Sequence, residues 1–276
     1  MTEEDANTVI EFMYSWLPDD EKKALKNSIM TPTLARWQVI DDPVDRFIRA
    51  TGVRLDDRDL STLRFHCIHV SATIDGGESI RKYGLRKLTD LLVTDSPIRR
   101  FLIEYGIEVN PSERWYSRNG ERHSVDGTML EVKLYHTKSE IEAFIAGDML
   151  KDYSCIEDNP EFLRELSPLV GVDLENEWEK RKNVLLYVHF DVSFDECANI
   201  TDIHRAHFPD VFEKLLPTLS KKYNYGEEPE NVWRNYWFIN ACIENSCPEA
   251  RIDRSPMAVK EDVMIGPERI QIEVMR

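Results

Sequence analysis

One stretch constrains this chain more than any other. Residues 63 to 88 read LRFHCIHVSATIDGGESIRKYGLRKL. Leu63, Phe65, Cys67, Ile68 and Val70 predict a strand, and residues 74 to 77 a glycine turn. Glu78 to Tyr83 then predicts a short helix with Gly84 as its C′ residue, where positive φ costs glycine nothing. On a strand, side chains alternate between faces. His69 and Ser71 therefore share one face, and His66 and Val70 the other. A ring N–H and a hydroxyl one pleat apart suit a diol or the edge of a ribose. The same alternation separates His66 from His69 and disfavours the two as a metal pair. The plainer alternative is a core strand carrying a satisfied histidine.

The elements around this stretch mix both periodicities. Residues 1 to 60 read as a helical segment, with Val9, Ile10, Phe12, Met13, Trp16 and Leu17 at helical spacing and a further helix from Glu21 to Ile29. Leu88 to Val93 continues helical, and Ser96-Pro97 supplies an N-cap and a first-turn proline for Ile98 to Tyr105. Asn119-Gly120 between Trp115 and Val125 predicts a hairpin. Leu130, Val132 and Leu134 alternate with charged residues as a half-buried strand would, and Ser139 to Ala146 reads as helix. Residues 159 to 182 are mostly helical, Val184 to Val192 is the most apolar strand, and Pro209 to Tyr223 and Pro229 to Asn245 are expected helices. Val259 to Val274 predicts two short strands around Gly266-Pro267. Helices and strands interleave without a βαβ rhythm. The expected class is α+β: a helical segment over residues 1–60, then a mixed domain over 61–276.

Composition narrows the function classes. There are 51 acidic and 35 basic side chains, a formal charge of −16, so the average field repels nucleic acid and anionic membrane. No apolar run approaches the ~18 residues of a membrane span. The opening MTEEDANTVIEF is acidic where a secretory leader is basic and then apolar, which predicts a cytoplasmic protein. Cys67, Cys155, Cys197, Cys242 and Cys247 form no Cys-x-x-Cys pair and fit reduced thiols.

A second segment matters with the first. Lys260-Glu261-Asp262-Val263-Met264 places Glu261 at the head of an otherwise apolar strand, near a sheet edge where a carboxylate can reach a cleft. Its plain alternative is a solvated acid. Together the two segments resemble the ADP-ribosyltransferase superfamily of the diphtheria-toxin and poly(ADP-ribose) polymerase type. Its members begin their NAD site with a strand ending His-Gly-Ser or His-Gly-Thr, follow it with a helix ending Gly-Leu, and carry a catalytic Glu at the head of a late strand. Ile68-His69-Val70-Ser71 resembles the first motif, Tyr83-Gly84-Leu85 the helix end, and Lys260 to Met264 the Glu motif. Val70 stands where the family has glycine, and the middle motif, an inner-strand tyrosine or serine, falls to Tyr135, Tyr187 or Tyr236.

The resemblance implies NAD as substrate, with His69, Ser71 and Gly84 binding it and Glu261 catalytic. Glu261 would accept a hydrogen bond from the ribose 2′-OH and stabilise an oxocarbenium-like transition state. ADP-ribose would pass to a protein or small-molecule acceptor, or to water. Two rivals remain open. One is a non-enzymatic binding protein in which Val70 closes the cofactor slot. The other is a metal-dependent hydrolase built on His204 and His207 with Asp191, Asp195, Asp202 and Asp210. Leu134-Tyr135-His136-Thr137 is a second possible position for the first motif, without a following Gly-Leu.

Overall fold

The computed structural model describes residues 19–30, 64–136, 141–145, 159–181, 184–198 and 256–275. Its elements are α+β. The helices are α1 (Asp19–Met30), α2 (Glu78–Tyr83), α3 (Leu88–Val93), α4 (Pro97–Glu104), α5 (Met129–Glu131, continued by a π-helical turn Val132–His136), α6 (Glu161–Val170) and α7 (Leu174–Glu179). The strands are β1 (Arg64–Thr73), β2 (Ile107–Asn110), β3 (Trp115–Arg118), β4 (Glu121–Ser124), β5 (Ile141–Ile145), β6 (Val184–Ser193), β7 (Cys197–Ala198), β8 (Pro256–Val259) and β9 (Ile270–Met275). Six of them form a sheet in the order β7-β8-β5-β1-β6-β9, and β2-β3-β4 form a second sheet. β1, which carries the first motif, is thus paired on both sides, and Phe65, Cys67 and Ile68 are buried along it. β6 runs antiparallel to β9, with Tyr187 opposite Glu273.

By contact the chain falls into two compact units. One holds Met1–His66, Phe144–Met149 and Ser193–Met257, and the other Cys67–Ala143, Leu150–Val192 and Ala258–Arg276. His69, Ser71, Gly84 and Glu261 all belong to the second. Much of that unit is a dense apolar core. Ser96 caps α4 by accepting the Arg99 N–H at 3.1 Å, with Pro97 in the first turn. Pro97, Ile98, Phe101 and Leu102 face inward, and Phe101 meets Trp178 edge-on with ring centroids 5.0 Å apart. Leu163 and Leu166 of α6 and Leu174 of α7 are fully buried in the same cluster. Asn119 and Gly120 take φ of 50° and 87° at the β3–β4 hairpin, as a turn with two positive φ values requires.

Two expected elements change type. The predicted strand over Leu130 to Leu134 is instead helical. Leu130 and Leu134 are both buried, four residues apart, as one helix face demands. Thr128 starts the turn by accepting the Glu131 N–H at 3.2 Å, and the Glu131 carboxylate reaches back to the Gly127 N–H at 2.7 Å. That is the Ser/Thr-x-x-Glu pattern of a helix start. The helix expected from Ser139 to Ala146 is, where described, strand β5. Ile141 and Ala143 are buried and Glu142 is half-buried, a period of two that places β5 between β8 and β1. At the C-terminal end only the last strand, β9, forms as expected. The strand expected at Glu261 is a turn. The predicted helices over 209–223 and 229–245, and all of 1–60 except α1, lie outside the described residues. So do Cys155, Cys242 and Cys247, while Cys67 and Cys197 are buried and not in a disulfide.

Candidate functional site

His69 lies mid-sheet on β1, and its Nδ1 is 2.7 Å from the Glu142 carbonyl of β5. A carbonyl only accepts, so Nδ1 carries the proton. In the neutral ring Nε2 is then an acceptor, the complement of a hydroxyl donor. Ser71 follows on the same face, half-buried, and its hydroxyl has no hydrogen-bond partner among the described residues. Val70 is half-buried too.

The turn after β1 is built by Asp75, which the sequence reading did not single out. Its Oδ1 accepts the Thr73 hydroxyl at 2.6 Å and the Gly77 N–H at 2.9 Å, and its Oδ2 accepts the Ser79 N–H at 2.9 Å. Burial alone pushes this carboxyl up, but the hydrogen bonds from Thr73, Ser79 and Gly77 outweigh it and hold the pKa below the usual aspartate value. The signal lay in Thr-x-Asp-Gly-Gly ahead of a helix, since aspartate readily bonds backbone N–H groups two residues on.

α2 ends at Gly84, with φ 74° and ψ −166°, a region glycine alone adopts readily. A Cβ at Gly84 would stand 2.1 Å from the Ile265 carbonyl oxygen and within 3 Å of Gly266. The glycine thus lets two backbones touch. Beside it the Leu85 N–H donates to the Ile265 carbonyl at 2.9 Å, an isolated antiparallel bridge. Two residues on, the Lys87 ammonium donates to the main-chain carbonyl of Glu261.

Glu261 itself sits in the turn after β8. The Val263 N–H closes that turn on the Lys260 carbonyl at 3.0 Å. Its side chain is exposed, and its carboxylate has no hydrogen-bond or ion-pair partner among the described residues. The two sequence motifs therefore meet at Gly84–Lys87 and Glu261–Gly266. His69 and Ser71 make no direct bond to either partner of that junction.

Of the three tyrosines, Tyr135 lies in the π-helical turn. Its hydroxyl donates to the Pro111 carbonyl at 2.6 Å, and Arg114 lies over its ring at 4.2 Å. Burial raises its pKa, partly opposed by Arg114. Tyr187 lies on β6, next to β1 in the sheet. Tyr236 lies outside the described residues, as do His204, His207, Asp202 and Asp210. Among the described residues no three His, Cys, Asp or Glu side chains are grouped to hold a metal ion. No helix among them is long and apolar enough to cross a membrane. No family model, no curated protein and no solved structure matches this chain.

Proposed function

We propose that this chain is an ADP-ribosyltransferase-like enzyme that cleaves the nicotinamide–ribose bond of NAD. The observation that supports it is the junction. Two segments 174 positions apart, each resembling one motif of that superfamily, are joined by the Leu85–Ile265 bridge and the Lys87–Glu261 bond. In this reading the His69 ring and the Ser71 hydroxyl bind the nicotinamide ribose and amide, and Gly84 keeps the helix end close to the Glu261 segment. Glu261 accepts a hydrogen bond from the ribose 2′-OH and stabilises positive charge at C1′ as the C–N bond breaks. The bonding electrons leave with nicotinamide. An acceptor O–H or N–H then adds to C1′ and releases its proton, giving ADP-ribosyl acceptor, or ADP-ribose when water attacks. The acidic chain favours a protein or small-molecule acceptor over nucleic acid.

The test is incubation of the purified protein with NAD while nicotinamide release and melting temperature are followed together. Release that disappears in Glu261→Gln, with the fold intact, supports the reading, and unchanged release in that variant overturns the role of Glu261. A second reading, a binding protein without turnover, is favoured by Val70 standing where the superfamily has glycine. It predicts neither nicotinamide release nor NAD-dependent stabilisation.

A further inference from the structure

Lys87 has no counterpart in the motifs that carry the resemblance, yet among the described residues its side chain is the one that bonds Glu261. The turn Lys260–Val263 satisfies its own Lys260 carbonyl through the Val263 N–H, 3.0 Å away. The next carbonyl, that of Glu261, has no place in that ring and receives the Lys87 ammonium instead. Lys87 is itself held. Its backbone is extended, with φ −62° and ψ 149°, as the N-cap of α3, and its carbonyl accepts the Leu91 N–H at 3.0 Å. Two residues earlier Leu85 is bridged to Ile265. Residues 85 to 87 thus grip the segment 261 to 265 at both ends, in antiparallel sense. A carbonyl held by a charged donor fixes the peptide plane that follows Cα of Glu261. With the Leu85–Ile265 bridge it fixes where the turn that bears Glu261 sits, and so where the exposed side chain begins. A charge-assisted bond of this kind is about twice as strong as a neutral one.

We infer that Lys87 is the positioning residue for Glu261, holding the turn from which its carboxylate projects without touching substrate; this rests on the NAD reading above. The experiment compares wild type, Lys87→Met and Lys87→Arg by amide hydrogen exchange without NAD and by nicotinamide release with it. Lys87→Met keeps the length and loses the charge. It is expected to speed exchange at Val263 and Leu85 by about fivefold or more while amides of α4 and α6 are unchanged. It is also expected to lower kcat by about tenfold to a hundredfold with KM within about twofold, as a misplaced catalytic group does. Lys87→Arg, which keeps the donor, should restore most of both.

Unchanged exchange in Lys87→Met overturns the inference, and so does loss of kcat that arginine fails to rescue. If wild type releases no nicotinamide, the NAD reading falls. The exchange data still decide whether Lys87 holds Glu261.

Discussion

Two regions of the same unit are held together by different forces. In the core cluster between Leu92 and Trp178 the side chains pack through apolar, non-directional contacts: Phe101, Leu130, Leu163, Leu166 and Leu174 are buried together. At Gly84–Lys87 and Glu261–Gly266 almost nothing apolar is exchanged except Leu85 and Ile265. That junction is made of backbone approach, one main-chain bridge and one ammonium–carbonyl bond. Burial of apolar surface scales with area and tolerates small shifts, whereas hydrogen bonds need their atoms in place. The first region should therefore set how stable the protein is, and the second how well it works. Substitutions can separate the two.

The largest effect is expected in the apolar region. Trp178→Ala removes the ring that packs edge-on against Phe101 and should cost about 3–5 kcal/mol, measured by denaturant unfolding. Trp178→Phe should cost much less. Among the described residues the buried Trp178 indole Nε1 has no hydrogen-bond partner, so its loss relieves about 1–3 kcal/mol of desolvation penalty and offsets lost contact. If nicotinamide release per folded molecule falls in Trp178→Phe, the division between the regions breaks down.

Gly84→Ala tests the junction. The new Cβ meets a backbone oxygen that cannot swing aside, at a φ that alanine adopts only under strain. The expected cost is at least about 1 kcal/mol. On the NAD reading, nicotinamide release should fall by far more than that cost explains, since the segment bearing Glu261 must retreat. A loss of stability with kcat intact would show that the junction is scaffold only.

How far the sequence foretold these regions follows the same line. Local chemistry was legible. Ser96-Pro97 starts α4, Asn119-Gly120 turns the hairpin, and Gly84 ends α2 at positive φ, because each signal acts within a few residues. Thr128-x-x-Glu131 was an equally local start signal, but the alternation of Leu130, Val132 and Leu134 masked it. Five residues of Ile-Glu-Ala-Phe-Ile suit either periodicity, and only their place between β8 and β1 decides for strand. The candidate site was legible as motifs and not as geometry. Glu261 lies in a turn, and Lys87 gives no signal in sequence because its bond spans 174 positions.

Two caps compare the regions at finer scale. Ser96→Ala in the apolar region removes the side-chain acceptor for the Arg99 N–H and should cost about 1 kcal/mol, with turnover per folded molecule unchanged. Asp75 is its counterpart beside the first motif, and there pH reports the cap. Its folded pKa lies below the usual aspartate value, so the folded state binds its proton less readily than the unfolded chain does. The resulting stabilisation is complete above the unfolded pKa and is lost as pH falls through the folded one. Asp75→Asn should therefore leave stability nearly unchanged at pH below the folded pKa and lower it near neutrality by under about 1 kcal/mol, since the group is partly exposed. The measurement is the difference in unfolding free energy between wild type and Asp75→Asn from pH 2 to pH 7. A difference that is flat across this range would mean that the hydrogen bonds from Thr73, Gly77 and Ser79 do not depend on the charge. The turn after β1 would then be held by shape, as the apolar region is.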